Sequence, residues 1–336
     1  MKFEKFKLLD VPNIYTATAF TFDGKLHIGL GPEQDGNIYL IDFDNRDKKI
    51  VGDGPGGMMS LLPVPGRNDM LVSVMGLFPP FRGLEAGIYR HSLTATGWKV
   101  ERLIHLPFAH RCEILSNKGK NYLISATVSK HKNDPSDWSL PGQVYLTTID
   151  DNLEATQWKA EPIMDTLFHN HGMLKTMING KESICVSGVE GVFAIFFDGD
   201  SIKKEQLFDK EVSEFAFIDL DGKGENYLAT IEPFHGNSFN IYQYAGNEWQ
   251  KIYDSPLSFG HGLSAGMFGG EPTIAVGNRR DDSSLVLFKK VKDTIEKTVL
   301  EEATGTTQTQ FFHHKGIDYL LASNQLKNEA AIYTAN

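Results

Sequence analysis

The chain has 336 residues, with 33 Lys and Arg against 43 Asp and Glu, a formal net charge of −10. That balance argues against a nucleic-acid partner, because a phosphate backbone needs clustered cations, and no run of about 18 apolar residues is present to span a membrane. Cys112 and Cys185 are too few for a disulfide scaffold and sit in apolar, strand-like runs; with an N-terminus lacking a signal peptide's apolar stretch, they give the expectation of buried free thiols in a cytoplasmic protein.

From the N-terminus, Phe3-Glu-Lys-Phe-Lys-Leu-Leu reads as an outer strand with nothing before it. A unit then recurs, a small-residue turn leading into a short apolar strand. It begins at Asp23, Pro65, Lys118, Asn179, Asp221, Gly269 and Lys315, with a mean spacing of about 49 residues, the range of a four-stranded propeller blade. A second track follows each copy: Ile38-Tyr39, Ile88-Tyr89, Val144-Tyr145, Val192-Phe193, Ile241-Tyr242, Val286-Leu287-Phe288 and Ile332-Tyr333. A third, at Trp98, Trp158 and Trp249, reads as half-exposed outer strands. Long amphipathic helical patterns are absent. The pattern predicts an all-β fold, a seven-bladed β-propeller of four-stranded blades forming a single domain over residues 1–336, with blades starting near residues 13, 56, 109, 169, 212, 260 and 306. The last copy has no room for a fourth strand, so residues 1–12 are expected to complete it and close the last blade.

In such a blade the start of the innermost strand and the loop after the second strand lie on one face of the disc. The strand starts present Met58-Met59, His110-Arg111, His169-Asn-His171, Ser213-Glu214, Gly260-His261-Gly262 and Thr307-Gln308. The loops present Glu33, Lys130-His131, Glu190, Glu232-Pro-Phe-His235, Arg279-Arg280 and Asn324. His110, His171 and His261 thus hold equivalent positions in three blades, and His235 joins them from a loop. Imidazoles aimed at one axis beside Glu190 and Glu232 have the ligand set of a divalent metal site, with zinc, manganese, nickel or magnesium as candidate ions. His171, His235 and His261 are the expected ligands, and His110 could instead be a general base. A water-filled polar channel is the bland alternative. His27, His91, His105 and His313-His314 fall in strand interiors, blade peripheries or a bottom turn and receive no role. Asp219-Leu-Asp221-Gly-Lys-Gly-Glu225 has the alternation of a calcium turn, but Lys223 stands where a third acid is expected, so it reads as an Asp-Gly turn.

The stretch Ser213-Glu214, Tyr227-Leu-Ala-Thr-Ile-Glu232-Pro-Phe-His235-Gly-Asn, Trp249, Gly260-His261 and Ala275-Val-Gly-Asn-Arg279-Arg280 resembles the propeller of aldos-2-ulose dehydratase and 1,5-anhydrofructose dehydratase-like, FG-GAP/VCBS-type proteins. His110-Arg111, His169-Asn170 and Glu190-Gly191-Val192 fall where that family places similar groups, and the likeness is strongest over residues 169–290. Relatives carry repeated Asp-x-Asp-Gly-Asp-Gly turns, which here are mostly reduced to Gly turns. The fungal dehydratase adds a β-rich domain linked to a later isomerisation, so for this chain the resemblance implies only the elimination step.

What the resemblance implies is a carbon–oxygen lyase of the hydro-lyase type, removing water from a keto-sugar by β-elimination. A metal on His171, His235 and His261 would be the Lewis acid; His110 or Glu190 would take the α-proton; Arg279 or Lys130 would hold the developing oxyanion. Glu33, Phe78, Arg111, Glu232, Phe234, Arg280 and Gln308 are the expected sugar-binding residues. The long insertions Phe78–Gly87 and Lys130–Pro141 would shape the entrance. Two readings stand beside this one: a lyase cleaving 3-keto glycosides or uronates by the same elimination, and a non-catalytic scaffold binding a protein or glycan. The sequence leaves the oligomeric state open.

Overall fold

The computed structural model describes residues 2–78, 83–149, 155–224 and 226–335. They form seven four-stranded antiparallel sheets, and the only helices among them are the 3₁₀ turns Gly83–Glu85 and Gln325–Lys327. This is a seven-bladed β-propeller. No helix among the described residues is long and apolar enough to cross a membrane.

The repeat seen in the sequence is a turn chemistry. Between Phe22 and Lys25, Asn117 and Lys120, Ile178 and Lys181, and His314 and Ile317, the two connecting residues both have positive φ: Asp23 and Gly24 at 52° and 68°, Asn179 and Gly180 at 50° and 75°. That is the type I′ turn, whose twist matches that of two antiparallel strands, and X-Gly dipeptides supply it with least strain. The copies at Pro65 and Asp221 instead close longer connections, Pro63 to Met70 and Ile218 to Tyr227.

The chain divides into two compact units, residues 1–19 with 212–336, and residues 20–211. In the first, Phe3–Asp10 pairs antiparallel with Glu329–Ala335, so the N-terminal strand completes the last blade as expected. Lys5 is held there between the carboxylates of Glu301 and Glu329, and Glu301 also accepts from the Tyr333 hydroxyl at 2.5 Å and pairs with Lys327. Tyr227, Phe239, Ile241, Ile274 and Phe288 fill the space between neighbouring sheets, with the Phe239 and Phe288 rings stacked at 4.3 Å.

In the second unit, Phe22, Leu40, Leu61, Leu71 and Tyr89 make one such layer, and Ile124, Val144, Ile184, Val186 and Ile195 another. His91 is fully buried there; its Nδ1–H donates to the Val51 carbonyl at 2.8 Å and its Nε2 accepts from the Ser73 hydroxyl at 2.8 Å. Trp98 and Trp249 lie on outer strands, Gly97–His105 and Glu248–Pro256. Trp158 does not: it precedes the outer strand Glu161–Leu167 and is buried, its backbone N–H donating to the Leu103 carbonyl at 3.1 Å. A large apolar ring at a blade edge serves equally well as an anchor, and the sequence alone does not separate the two uses.

Candidate functional site

Innermost strands deliver the histidines through β-bulges. In the second unit the ladder between Ala109–Asn117 and Lys120–Thr127 slips between Ala109 and Arg111, leaving His110 as the extra residue. In the first unit the ladder between Gly260–Phe268 and Glu271–Asn278 slips between Gly260 and Leu263, around His261. A bulge bends the strand and re-aims a side chain, so these imidazoles leave the regular inward–outward alternation. Both are buried.

Within the first unit, His261 is fixed at both nitrogens. Its Nδ1–H donates to the Thr307 carbonyl at 2.8 Å, which leaves Nε2 as the lone-pair nitrogen, and Nε2 faces the Tyr15 hydroxyl at 2.8 Å. An Nδ1–H to carbonyl bond of this kind orients metal-ligating histidines and raises their basicity. The His235 ring lies among Phe234 at 4.1 Å, Phe259 at 4.7 Å and His261 at 5.1 Å. Its backbone has φ of 46° and donates its N–H to the Ser213 hydroxyl at 3.1 Å. Arg279 donates to the Gln325 side chain, and its guanidinium stands 5.8 Å from the ring centres of both Tyr15 and Phe259. Arg280, exposed, lies over Phe259 at 4.8 Å.

Within the second unit, the rings of His110 and His171 are 4.4 Å apart, both 3% exposed. Asn170, next to His171 in the chain, is buried, and both polar atoms of its side chain lack a hydrogen-bond partner among the described residues. A buried amide with nothing to bond is costly, and a polar ligand relieves that cost. His169 faces Glu211 at 3.0 Å and stands edge-on to Trp138 at 4.9 Å. Lys132 lies buried over Trp138, 3.1 Å from the ring centre, and burial pushes its ammonium down to about 8.

Several expected site residues have structural partners. The Glu190 carboxylate accepts the Phe168 backbone N–H at 3.0 Å. The Glu232 carboxylate turns back along its own blade, accepting from the Thr230 hydroxyl at 2.5 Å and the Tyr242 hydroxyl at 3.2 Å. Gln308 accepts the Ala17 N–H at 3.0 Å and so ties the last blade's inner strand to the first strand of the chain's first sheet. Lys130 is exposed, with its ammonium 3.9 Å from Asp165. Glu33, Phe78 and Arg111 are half-buried in the second unit. Of the insertion Phe78–Gly87, residues 79–82 lie outside the described residues, as does Glu225 of the Asp-Gly turn. In that turn Asp219 accepts backbone N–H groups of Gly222 and Gly224 at 2.9 and 2.8 Å, and Asp221 faces the Lys290 ammonium at 3.2 Å. A built-in ammonium thus stands against the carboxylate that a calcium ion would need.

The sequence reading passed over two groups. Tyr15 occupies the inner-strand start of the first blade, the same place in the repeat as His110 and His261, and that equivalence was the available signal. Glu113 lies on the inner strand after Arg111; burial pushes its carboxyl up to about 7, with Lys175 and Arg111 pulling the other way. Chemically, the imidazoles of His235 and His261, their ring centres 5.1 Å apart in the first unit, could serve as metal ligands. Their donor chemistry fits a divalent transition metal, and the Thr307 carbonyl already sets the tautomer this requires at His261.

Comparison with solved structures gives the fold and stops there. A proposed 6-phosphogluconolactonase from Bacteroides fragilis matches with a TM-score of 0.57 at 12% identity, over 96% of this chain and 90% of its own. The β-propeller domain of Cps50 (Swd1) from Myceliophteria thermophila matches at 0.59 and 11%, over 100% of each chain. A second proposed 6-phosphogluconolactonase, from Bacteroides uniformis, matches at 0.54 and 11%, over 98% and 93%. No protein-family model and no curated protein matches the chain. The chain is a seven-bladed propeller. At these identities the shared property is architecture, and function has to be argued from side chains.

Proposed function

We propose that this propeller is a metal-dependent carbohydrate lyase that eliminates water from a keto-sugar. The observation that carries the reading is the His235–His261 pair of the first unit, ring centres 5.1 Å apart, with His261 already held in a ligating tautomer by the Thr307 carbonyl; His171 is the third ligand that the proposal adds. A bound divalent ion would supply Lewis-acid polarisation of the substrate's ketone oxygen. The remaining work falls to the chain's own side chains. His110, its ring 4.4 Å from that of His171, takes the proton from the carbon α to the ketone. The electron pair moves onto the ketone oxygen, where the Arg279 guanidinium neutralises the developing charge. As the β carbon–oxygen bond breaks, His110 returns its proton to the departing hydroxyl, which leaves as water. Asn170 is suited to bind a sugar hydroxyl, since it offers one donor and one acceptor.

Two measurements test the reading. Metal analysis of the purified protein should find about one transition-metal ion per chain, lost in the His171→Ala/His261→Ala double variant. Glucosone and 1,5-anhydrofructose, offered to the metal-loaded protein, should give the conjugated enone product, and His110→Gln should lower that rate by about 10²–10⁴-fold. A wild-type protein that takes up no zinc, manganese or nickel defeats the proposal.

A second reading, lactone hydrolysis, is favoured by two structural neighbours being proposed 6-phosphogluconolactonases. Turnover of a sugar lactone without elimination from either keto-sugar would replace the first reading with this one.

A further inference from the structure

We propose that Tyr15 is an oxygen ligand of the metal site, a donor that no histidine or carboxylate pattern in the sequence points to. The inference rests on the metal-site reading above. It starts from one distance: the Tyr15 phenol oxygen is 2.8 Å from His261 Nε2. Donor atoms bound to one ion at about 2.0–2.1 Å lie roughly 2.9–3.4 Å from one another, depending on whether the shell is octahedral or tetrahedral. The phenol and imidazole therefore stand nearly at the separation of neighbouring ligands. On metal binding the phenolic proton would leave to solvent, freeing the phenolate oxygen and His261 Nε2 to act as donors.

Both partners are held to this geometry from behind. His261 is pinned by the Thr307 carbonyl at Nδ1. The Tyr15 carbonyl accepts two hydroxyls, Thr307 Oγ1 at 2.7 Å and Ser323 Oγ at 3.0 Å, and its ring meets the His261 ring edge-on at 5.4 Å. Thr307 thus braces both members, one through its carbonyl and the other through its hydroxyl. It is also the extra residue of a β-bulge, between Thr306 and Gln308. Tyr15 is 6% exposed, and the Arg279 guanidinium stands 5.8 Å from its ring centre. A tyrosine needed only for packing would not require its carbonyl, ring and hydroxyl all to be fixed against one histidine.

The experiment loads wild type, Tyr15→Phe and His261→Ala with copper(II), records the visible spectrum, and measures zinc affinity by competition with a chromophoric chelator. The expected result is a tyrosinate-to-copper charge-transfer band in the wild type. Tyr15→Phe should lose it while still binding zinc, about 10–100-fold more weakly. Should Tyr15→Phe fail to fold, resonance Raman of the copper-loaded wild type reads the tyrosinate modes directly. Wild type that binds copper and zinc but shows neither band nor modes overturns Tyr15 as a ligand and leaves the histidine site standing. Wild type that binds neither ion overturns the metal site itself, and Tyr15 with it.

Discussion

His91 gives the sharpest test of the packing in the second unit. It is fully buried and bonded at both nitrogens, to Val51 and Ser73, and burial pushes its pKa from the ordinary 6.5 down to about 4. The native ring is therefore neutral where the unfolded ring takes up a proton. Stability from this residue is whole above pH 6.5 and is lost as the pH falls from there towards 4. The difference of about 2.5 pH units, at about 1.36 kcal/mol each, amounts to about 3 kcal/mol. His91→Gln removes the titration while keeping an amide able to donate and accept, at a cost of about 1–2 kcal/mol at pH 7.5. Urea unfolding of both proteins between pH 7.5 and 4.5 should show the wild type ahead at neutral pH and behind at the acid end. A gap that stays constant across that range, or a His91 imidazole resonance titrating near 6.5, would refute the reasoning.

Replacing Lys5 by Met leaves Glu301 and Glu329 facing each other without their shared ammonium. Removing one partner from a fully buried pair costs about 3–5 kcal/mol; since the Lys5 side chain is 30% exposed, screening reduces the expected loss to about 1–2 kcal/mol, read by thermal unfolding. Because these partners hold Glu301 below its ordinary 4.5 despite burial, which pushes the other way, the contribution is present above that pH and lost as the pH falls further. Gly191 has φ of 114°, and a Cβ there would sit 1.9 Å from the Phe208 carbonyl oxygen; Gly191→Ala should cost at least about 2 kcal/mol in chemical denaturation and lower soluble yield. Burial pushes both thiols up, Cys185 to about 12, so the native protein should not react with an aromatic disulfide reagent until denaturant is added. Rapid labelling of the folded chain would contradict that.

Local chemistry wrote most of the fold into the sequence. An X-Gly pair such as Asn179-Gly180 closes a type I′ turn with residues adjacent in the chain, and apolar alternation on either side sets which face is buried. Blade number, strand order and the closing role of Phe3–Asp10 follow from counting those local units. The same counting places His110 and His261 at strand starts. What each polar group does there depends on partners far away in the chain, and only tertiary structure supplies them. Glu190, read as a candidate base, accepts the Phe168 N–H, and Glu232, read as sugar-binding, accepts from Thr230 and Tyr242. Gln308 is drawn to Ala17, 291 residues distant. Folding sets Tyr15 2.8 Å from a histidine 246 positions away. A hydrogen bond needs its two atoms placed within a few tenths of an ångström; residue identity and spacing fix which groups are available, and the packed sheets fix which of them meet.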